Sequence, residues 1–263
     1  MIQLKRPKTV PQPVKTSSVR RKKADTKIKA IVASSVDLKS TDFTPLWRDD
    51  AVRGVIWKMH NGRCCYCERY RDETRESDVE HFRPKTAVSG TPTLKPGYWW
   101  LAYEWSNLLF ACKTCNQKFK GTKFPITGKR ARKKSDSLAK ESPLLIDAVK
   151  ENPEDFLDYD FTRPKMIVPH GKSPNLHRGN KTIEICGLDR DELNRQRYTA
   201  KKDLVRILKR MFKALDAFSV EGEAVVGKEI AVATSAKEGY EFVGMRRAFF
   251  RQFDGTAIYV SSD

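Results

Sequence analysis

The sequence predicts an α+β fold with a mostly helical C-terminal region, on three observations. Val52, Val55, Ile56 and Met59 repeat at i, i+3, i+4 and i+7, the spacing of one buried helix face. Phe156–Phe161 and Met166–Val168 flank an Arg163-Pro164 turn, the pattern of a short hairpin. Two C-x-x-C pairs, in Cys64-Cys65-Tyr66-Cys67 and Cys112-Lys113-Thr114-Cys115, bracket a segment long enough to hold a subdomain.

The elements follow in order. The chain has 263 residues, enough for one or two domains with a real core. Residues 1–43 read as a flexible basic arm. The first thirty hold ten Lys/Arg and one acid, for +9, half of the overall +18. Pro7, Pro11 and Pro13 argue against a packed element there. Such an arm is either a solvated tail or a collector of phosphates by counterion release. Thr44 as N-cap and Pro45 at the first helical position start a helix that ends at Asn61-Gly62. Residues 44–127 form the domain with the cysteines. Residues 128–141 form a basic loop, with Lys129, Arg130, Arg132, Lys133 and Lys134 as candidate further phosphate contacts.

Residues 142–263 open with Leu144-Leu145-Ile146 and the hairpin, and then become helical. One helix runs through Asn180–Cys186 and stops at Gly187, and Asp189 caps a longer one. Leu204, Leu208, Met211, Leu215 and Phe218 form a seam spaced 4, 3, 4, 3, suited to partner docking or dimerisation. A last helix covers Phe242–Phe253.

Composition limits the function classes. No apolar run is long enough to span a bilayer or to serve as a secretory signal, so a cytoplasmic protein off the membrane is expected. A net charge of +18 favours a polyanionic partner, nucleic acid ahead of an anionic membrane surface.

Five of the six cysteines sit in the two clusters, which in this setting reads as metal ligation rather than disulfides. Cys64, Cys67, Cys112 and Cys115 supply two thiolate pairs for a closed tetrahedral, structural zinc site. Cys65 breaks the x₂ spacing, and Cys186, among Ile183, Ile185 and Leu188, reads as inert core. Tyr98-Trp99-Trp100-Leu101-Ala102-Tyr103-Glu104-Trp105 reads as core packing ahead of base stacking. His60, His170 and His177 carry no partner pattern and read as structural or surface residues.

Between the pairs lies Asp78-Val79-Glu80-His81-Phe82-Arg83-Pro84-Lys85. The second pair is set in Trp105-Ser106-Asn107-Leu108-Leu109-Phe110-Ala111-Cys112-Lys113-Thr114-Cys115-Asn116-Gln117-Lys118-Phe119-Lys120-Gly121. On these residues the chain resembles the HNH endonuclease superfamily with its ββα-metal site, over about residues 60–126. "CCYCE", "VEHFRPK", "YWWLAYEWSNLLFACKTCNQ", "PLLID" and "KTIEICGLDRDELNRQR" extend the likeness, over about residues 44–210, to the HNH nucleases of Septu-type and retron-linked anti-phage systems. Two departures stand out. Glu80 replaces the commoner Asp, and Asn116 to Lys120-Gly121 is one residue longer than C-N-x-x-K-G.

The resemblance implies a metal-dependent endonuclease hydrolysing phosphodiester bonds, with DNA favoured over RNA such as tRNA. His81 would be the general base, Glu80 and Asn116 the ligands of Mg²⁺ or Mn²⁺, and Asn107 the residue that fixes the loop orienting His81. Arg83, Lys85, Lys118 and Lys120 are candidate phosphate contacts. The same likeness implies an ABC-type ATPase partner in anti-phage defence. The competing readings are a non-catalytic zinc module that binds nucleic acid, and an adaptor with a degenerate site.

Overall fold

A computed structural model describes residues 1–90, 93–215, 220–235 and 240–252, with side-chain surroundings for all of these except 211–225. In it the basic N-terminal segment is packed, which corrects the expectation of a flexible arm over residues 1–43. Helix α1 spans Val19–Ser34 and buries Arg21, Ala24 and Ile28, one narrow stripe at i, i+3 and i+7. Arg21 hides in this stripe because its charge is fully met. It donates to the carbonyls of Val14 and Tyr103 and pairs with Asp25 and Glu104. Upstream, Leu4 N–H donates to Ala148 O, and Leu4 and Val14 are buried. Composition registers the cations but not the acceptors that tertiary contact brings to one of them.

Helix α2 spans Asp50–Met59, with Val52 and Ile56 buried. Its cap is Asp49, whose carboxylate accepts from Ala51 N–H, in place of the expected Thr44. Pro45 instead precedes a 3-10 turn, Leu46–Arg48. The helix gives way at Asn61 and Gly62, both at positive φ, as expected of an Asn-Gly stop.

Strands β1 (Ser77–His81) and β2 (Leu108–Cys112) pair antiparallel, with Val79 opposite Phe110 and His81 opposite Leu108. Alternation gives this two-stranded sheet two faces. Val79, Leu108 and Phe110 join Trp47, Tyr103, Val52 and Ile56 in one apolar cluster. Leu109 and Ala111 face a second cluster around the cysteines. A wide π-helical turn, Thr114–Lys120, follows β2 at once. Gly121 N–H closes it onto Asn116 O, five residues back.

The hairpin forms as β3 (Leu157–Asp160) and β4 (Val168–Gly171). Helix α3 (Leu176–Cys186) ends at Gly187 in the left-handed conformation, as the sequence indicates. A Cβ at Gly187 would lie 2.1 Å from the Phe119 ring, so the glycine lets α3 close on the π-helical turn. Helix α4 (Asp191–Leu215), with Leu204 and Leu208 buried, is followed by α5 (Val220–Thr234) and α6 (Val243–Gln252). The seam's Met211 and Leu215 side chains, Phe218, and Phe253 of the last helix lie outside what is described. One apolar cluster contains Phe82, Phe124, Leu145, Ile183, Leu204 and Met245, so residues on both sides of position 142 share a core.

Candidate metal centre and adjoining active site

Cys64, Cys67, Cys112 and Cys115 converge. Their sulfurs lie within 4.8 Å of one another and all four residues are buried. A tetrahedral ion with bonds of about 2.3 Å to sulfur sets its ligands about 3.8 Å apart. Cys67 and Cys112 stand at 3.8 Å. The first pair is shaped by a turn in which Glu68 N–H donates to Cys64 O, with Glu68 at positive φ. In the second pair Cys115 N–H points at Cys112 Sγ, 3.4 Å away. Hydrogen bonding from Cys112, and then from Cys115 and Cys64, holds the Cys67 thiol well below its ordinary range. The Arg190 guanidinium lies 3.7 Å from Cys115 Sγ, a cation placed against thiolate charge. The set can hold a metal ion such as zinc. Cys65 and Cys186 are both buried, and burial raises both thiols.

Next to this centre, strand alternation separates the residues of β1. Asp78 and Glu80 face the π-helical turn. The Glu80 carboxylate is enclosed by Lys120 Nζ at 2.5 Å and Tyr66 Oη at 3.1 Å. Asn116 Nδ2 and Gln117 Nε2 donate to Asp78 Oδ2 at 3.0 and 2.8 Å. The extra residue between Asn116 and Lys120 is absorbed by the wide turn, which leaves both side chains on the side facing β1.

His81 lies on the other face. Its ring meets the edge of Trp47, with centroids 4.7 Å apart, and Nε2 is 2.9 Å from Ala102 O. Since a carbonyl only accepts, Nε2 carries the proton and Nδ1 keeps the lone pair. Burial, with help from the Lys85 and Lys120 charges, pushes His81 well below its ordinary pKa. The imidazole is therefore neutral at neutral pH. Glu80 and Asn116 thus share one face, each with its own partner, while the His81 ring packs on the opposite one.

Asn107 ties the β1–β2 connection at its base. Its Oδ1 accepts from Arg83 N–H, and its Nδ2 donates to Arg83 O and Leu101 O. This closes the loop that carries both Ala102 and the strand end at His81. Tyr98, Trp100, Tyr103 and Trp105 are buried, so the aromatic run packs as core. His60 is likewise internal and accepts from Phe110 N–H through Nε2.

The four expected phosphate contacts divide. Lys120 is fully buried against Glu80, and Arg83 is buried in an ion pair with Glu141 at 2.7 Å. Their charges are spent inside the protein. Lys85 is half-buried over the Trp47 ring at 4.7 Å, and desolvation lowers it to about 8. Lys118 is exposed.

Several residues of the site carry no sequence motif. Asp78 could have been found from period-2 alternation, which puts it on the Glu80 face. Glu141, fully buried and accepting from Tyr98 Oη at 2.6 Å and from Ala131 N–H at 3.1 Å, and Arg190 lie too far along the chain for spacing to reveal.

Fold and site thus define an α+β protein in which a buried four-cysteine cluster, able to hold a metal ion, lies against a ββ-turn. No protein-family model matches the chain. Over 162 residues it is 35% identical to the Septu protein PtuB of Bacillus mycoides (strain KBAB4), covering 60% of this chain and 53% of that protein. Over 78 residues it is 37% identical to the Septu protein PtuB of Bacillus thuringiensis, covering 29% and 26%. The chain spans about half the length of the first relative and about a quarter of the second. Among the described residues no helix is long and apolar enough to cross a membrane.

Proposed function

We propose that this chain is a metal-dependent endonuclease of the HNH type, hydrolysing phosphodiester bonds in nucleic acid, with DNA ahead of RNA. It would act as the effector of a Septu-type anti-phage system beside an ABC-type ATPase. The likeness to two Septu proteins supports the defence role, and the nuclease reading rests on the site. The observation that carries it is a neutral His81, held through Nε2 by Ala102 O at the end of a strand that borders the cysteine centre, with Glu80 and Asn116 on that strand's other face.

In this reading His81 Nδ1 takes the proton of the attacking water, which a neutral imidazole can do. Asn107 keeps the Ala102 carbonyl in place and so keeps the ring oriented. Glu80 and Asn116 offer oxygen donors on one face, and Asp78 orients the Asn116 amide. The Lys120 ammonium at Glu80 marks that position as one that attracts positive charge. Oxygen donors of this kind suit a hard cation, Mg²⁺ or Mn²⁺, which Glu80 and Asn116 would hold once it displaced Lys120 from the buried Glu80 carboxylate. When bound, that ion would neutralise the phosphate and stabilise the leaving oxygen. Lys85 and Lys118 supply the accessible charge that draws the backbone in.

The test is incubation with plasmid, single-stranded DNA and tRNA, with and without Mg²⁺, beside a His81→Ala protein. Mg²⁺-dependent cleavage that falls at least a hundredfold in the variant is expected. A variant that cut as fast as wild type would remove His81 as the base, and a wild type with no Mg²⁺-dependent cleavage would leave the chain a non-catalytic zinc module. Cleavage of tRNA alone would move the substrate to RNA.

A further inference from the structure

Helix α1 buries one side and leaves the other electrostatically unmet. At about 100° per residue, Arg21, Ala24 and Ile28 occupy an arc of about 60°. Lys22, Lys23, Lys27 and Lys29 cover an arc of about 160° centred on the opposite side. All four are exposed. Among the described residues none of them has an ion-pair partner, because the helix's one acid, Asp25, is bound to Arg21 and the nearby Asp49 to Arg20.

The arrangement works against the helix itself. Lys23 and Lys27 stand at i and i+4, where like charges repel. The first turn holds Arg20, Arg21 and Lys22 and no acid, opposing the helix dipole. Elsewhere the protein offsets such charges locally, as in the Lys181–Glu184 and Arg206–Asp203 pairs. On α1 no acid among the described residues neutralises these four lysines.

The helix is also fixed relative to the site. Arg21 donates to Tyr103 O at 2.6 Å, Tyr103 stacks on Trp47 with centroids 5.8 Å apart, and Trp47 meets the His81 ring.

We propose that the Lys22, Lys23, Lys27 and Lys29 face of α1 binds the phosphate backbone of nucleic acid flanking the scissile bond. This rests on the nuclease reading for its purpose but not for its binding. Lys22 to Lys29 span about 10 Å of helix axis, comparable to the rise of three nucleotides along one strand. The face therefore contacts about three to four phosphates, independent of base sequence.

The test measures binding of a labelled DNA duplex by fluorescence anisotropy across a series of KCl concentrations. It compares wild type with the Lys22/Lys23/Lys27/Lys29→Gln protein. Each phosphate neutralised contributes about 0.9 to the slope of log affinity against log salt. The slope is expected to fall by about 3, while a control lacking four exposed lysines elsewhere, Lys150/Lys165/Lys202/Lys209→Gln, keeps the wild-type slope. Gln retains helix propensity, and a Lys22/Lys29→Gln pair, expected to lose about half as much slope, serves if the quadruple variant does not fold.

An unchanged slope overturns the proposal, as does an equal fall in the control. Phosphatidylserine vesicles binding through the same four lysines, with the duplex unaffected by their loss, would also overturn it. A His81→Ala protein should keep the full slope. If no substrate is cut but the slope still depends on the four lysines, the nuclease reading fails and this surface stands. If His81→Ala abolishes cleavage while the slope ignores the lysines, the reverse holds.

Discussion

Lys120 Nζ lies 2.5 Å from Glu80 Oε1, and neither side chain reaches solvent. A buried ion pair of this kind is poor evidence of net stabilisation, because desolvation of both charges offsets most of their attraction. What it does is couple two elements. The ammonium also reaches His81 O at 3.3 Å, so the π-helical turn holds the end of β1 through one cation.

Removing one partner should therefore cost more than removing both. Lys120→Met leaves the carboxylate buried and unpaired, with an expected loss of about 3–5 kcal/mol in urea unfolding. Lys120→Met combined with Glu80→Gln should recover the larger part. A double variant as unstable as the sum of the single ones would show the two residues to be independent.

Asn107→Ala should weaken the loop without touching the metal centre. It strands Arg83 N–H and Arg83 O, at about 1–3 kcal/mol for each group left buried without a partner, while Leu101 O keeps the Glu104 N–H. In the nuclease reading kcat falls while KM and bound zinc hold. Loss of zinc together with kcat would place Asn107 in the metal fold instead.

The cysteine centre predicts one equivalent of zinc per chain by elemental analysis. Cys67→Ala or Cys115→Ala should abolish it and lower the melting temperature sharply, since binding of structural zinc is itself folding free energy. Cys186→Ala should retain the metal and lose only packing. Full zinc in Cys67→Ala would disprove the ligand set.

Burial depresses His60 to about 3, and the Arg6 charge adds to the effect. The unfolded chain binds this proton near pH 6.5, the folded one only near 3. Below about 6.5 the unfolded state therefore holds more protons, and stability falls as pH drops toward 3. His81 acts in the same direction. His60 contributes up to about 1.4 kcal/mol per pH unit across that window. His60→Gln should flatten the decline of the urea midpoint between pH 6 and 4, and an identical decline would remove His60 as a cause.

Lys85 is shifted in the same direction, with its consequence for binding. Desolvation lowers it to about 8, so its charge is present at pH 7 and lost as pH rises through 8. If it meets phosphate, affinity for a DNA duplex should drop between pH 7 and 9, and Lys85→Arg should hold affinity constant over that range. A wild-type profile flat to pH 9 would exclude Lys85 from the interface.

Local patterns made part of this protein legible. C-x-x-C spacing named all four sulfurs that converge, and Gly187 and Asn61-Gly62 ended their helices where backbone freedom is needed. Leu204 and Leu208 marked a buried helix face. These features depend on neighbours within a turn or two, which sequence displays directly. Tertiary contact decided the rest. It turned a basic tail into a helix by bringing Tyr103 O and Glu104 to Arg21, and it replaced Thr44 by Asp49 as the cap of α2. It also withdrew Lys120 and Arg83 from solvent by setting Glu80 and Glu141 against them. A charge is exposed or internal according to which acceptors lie near it in space, and those acceptors stand up to 83 residues away along the chain.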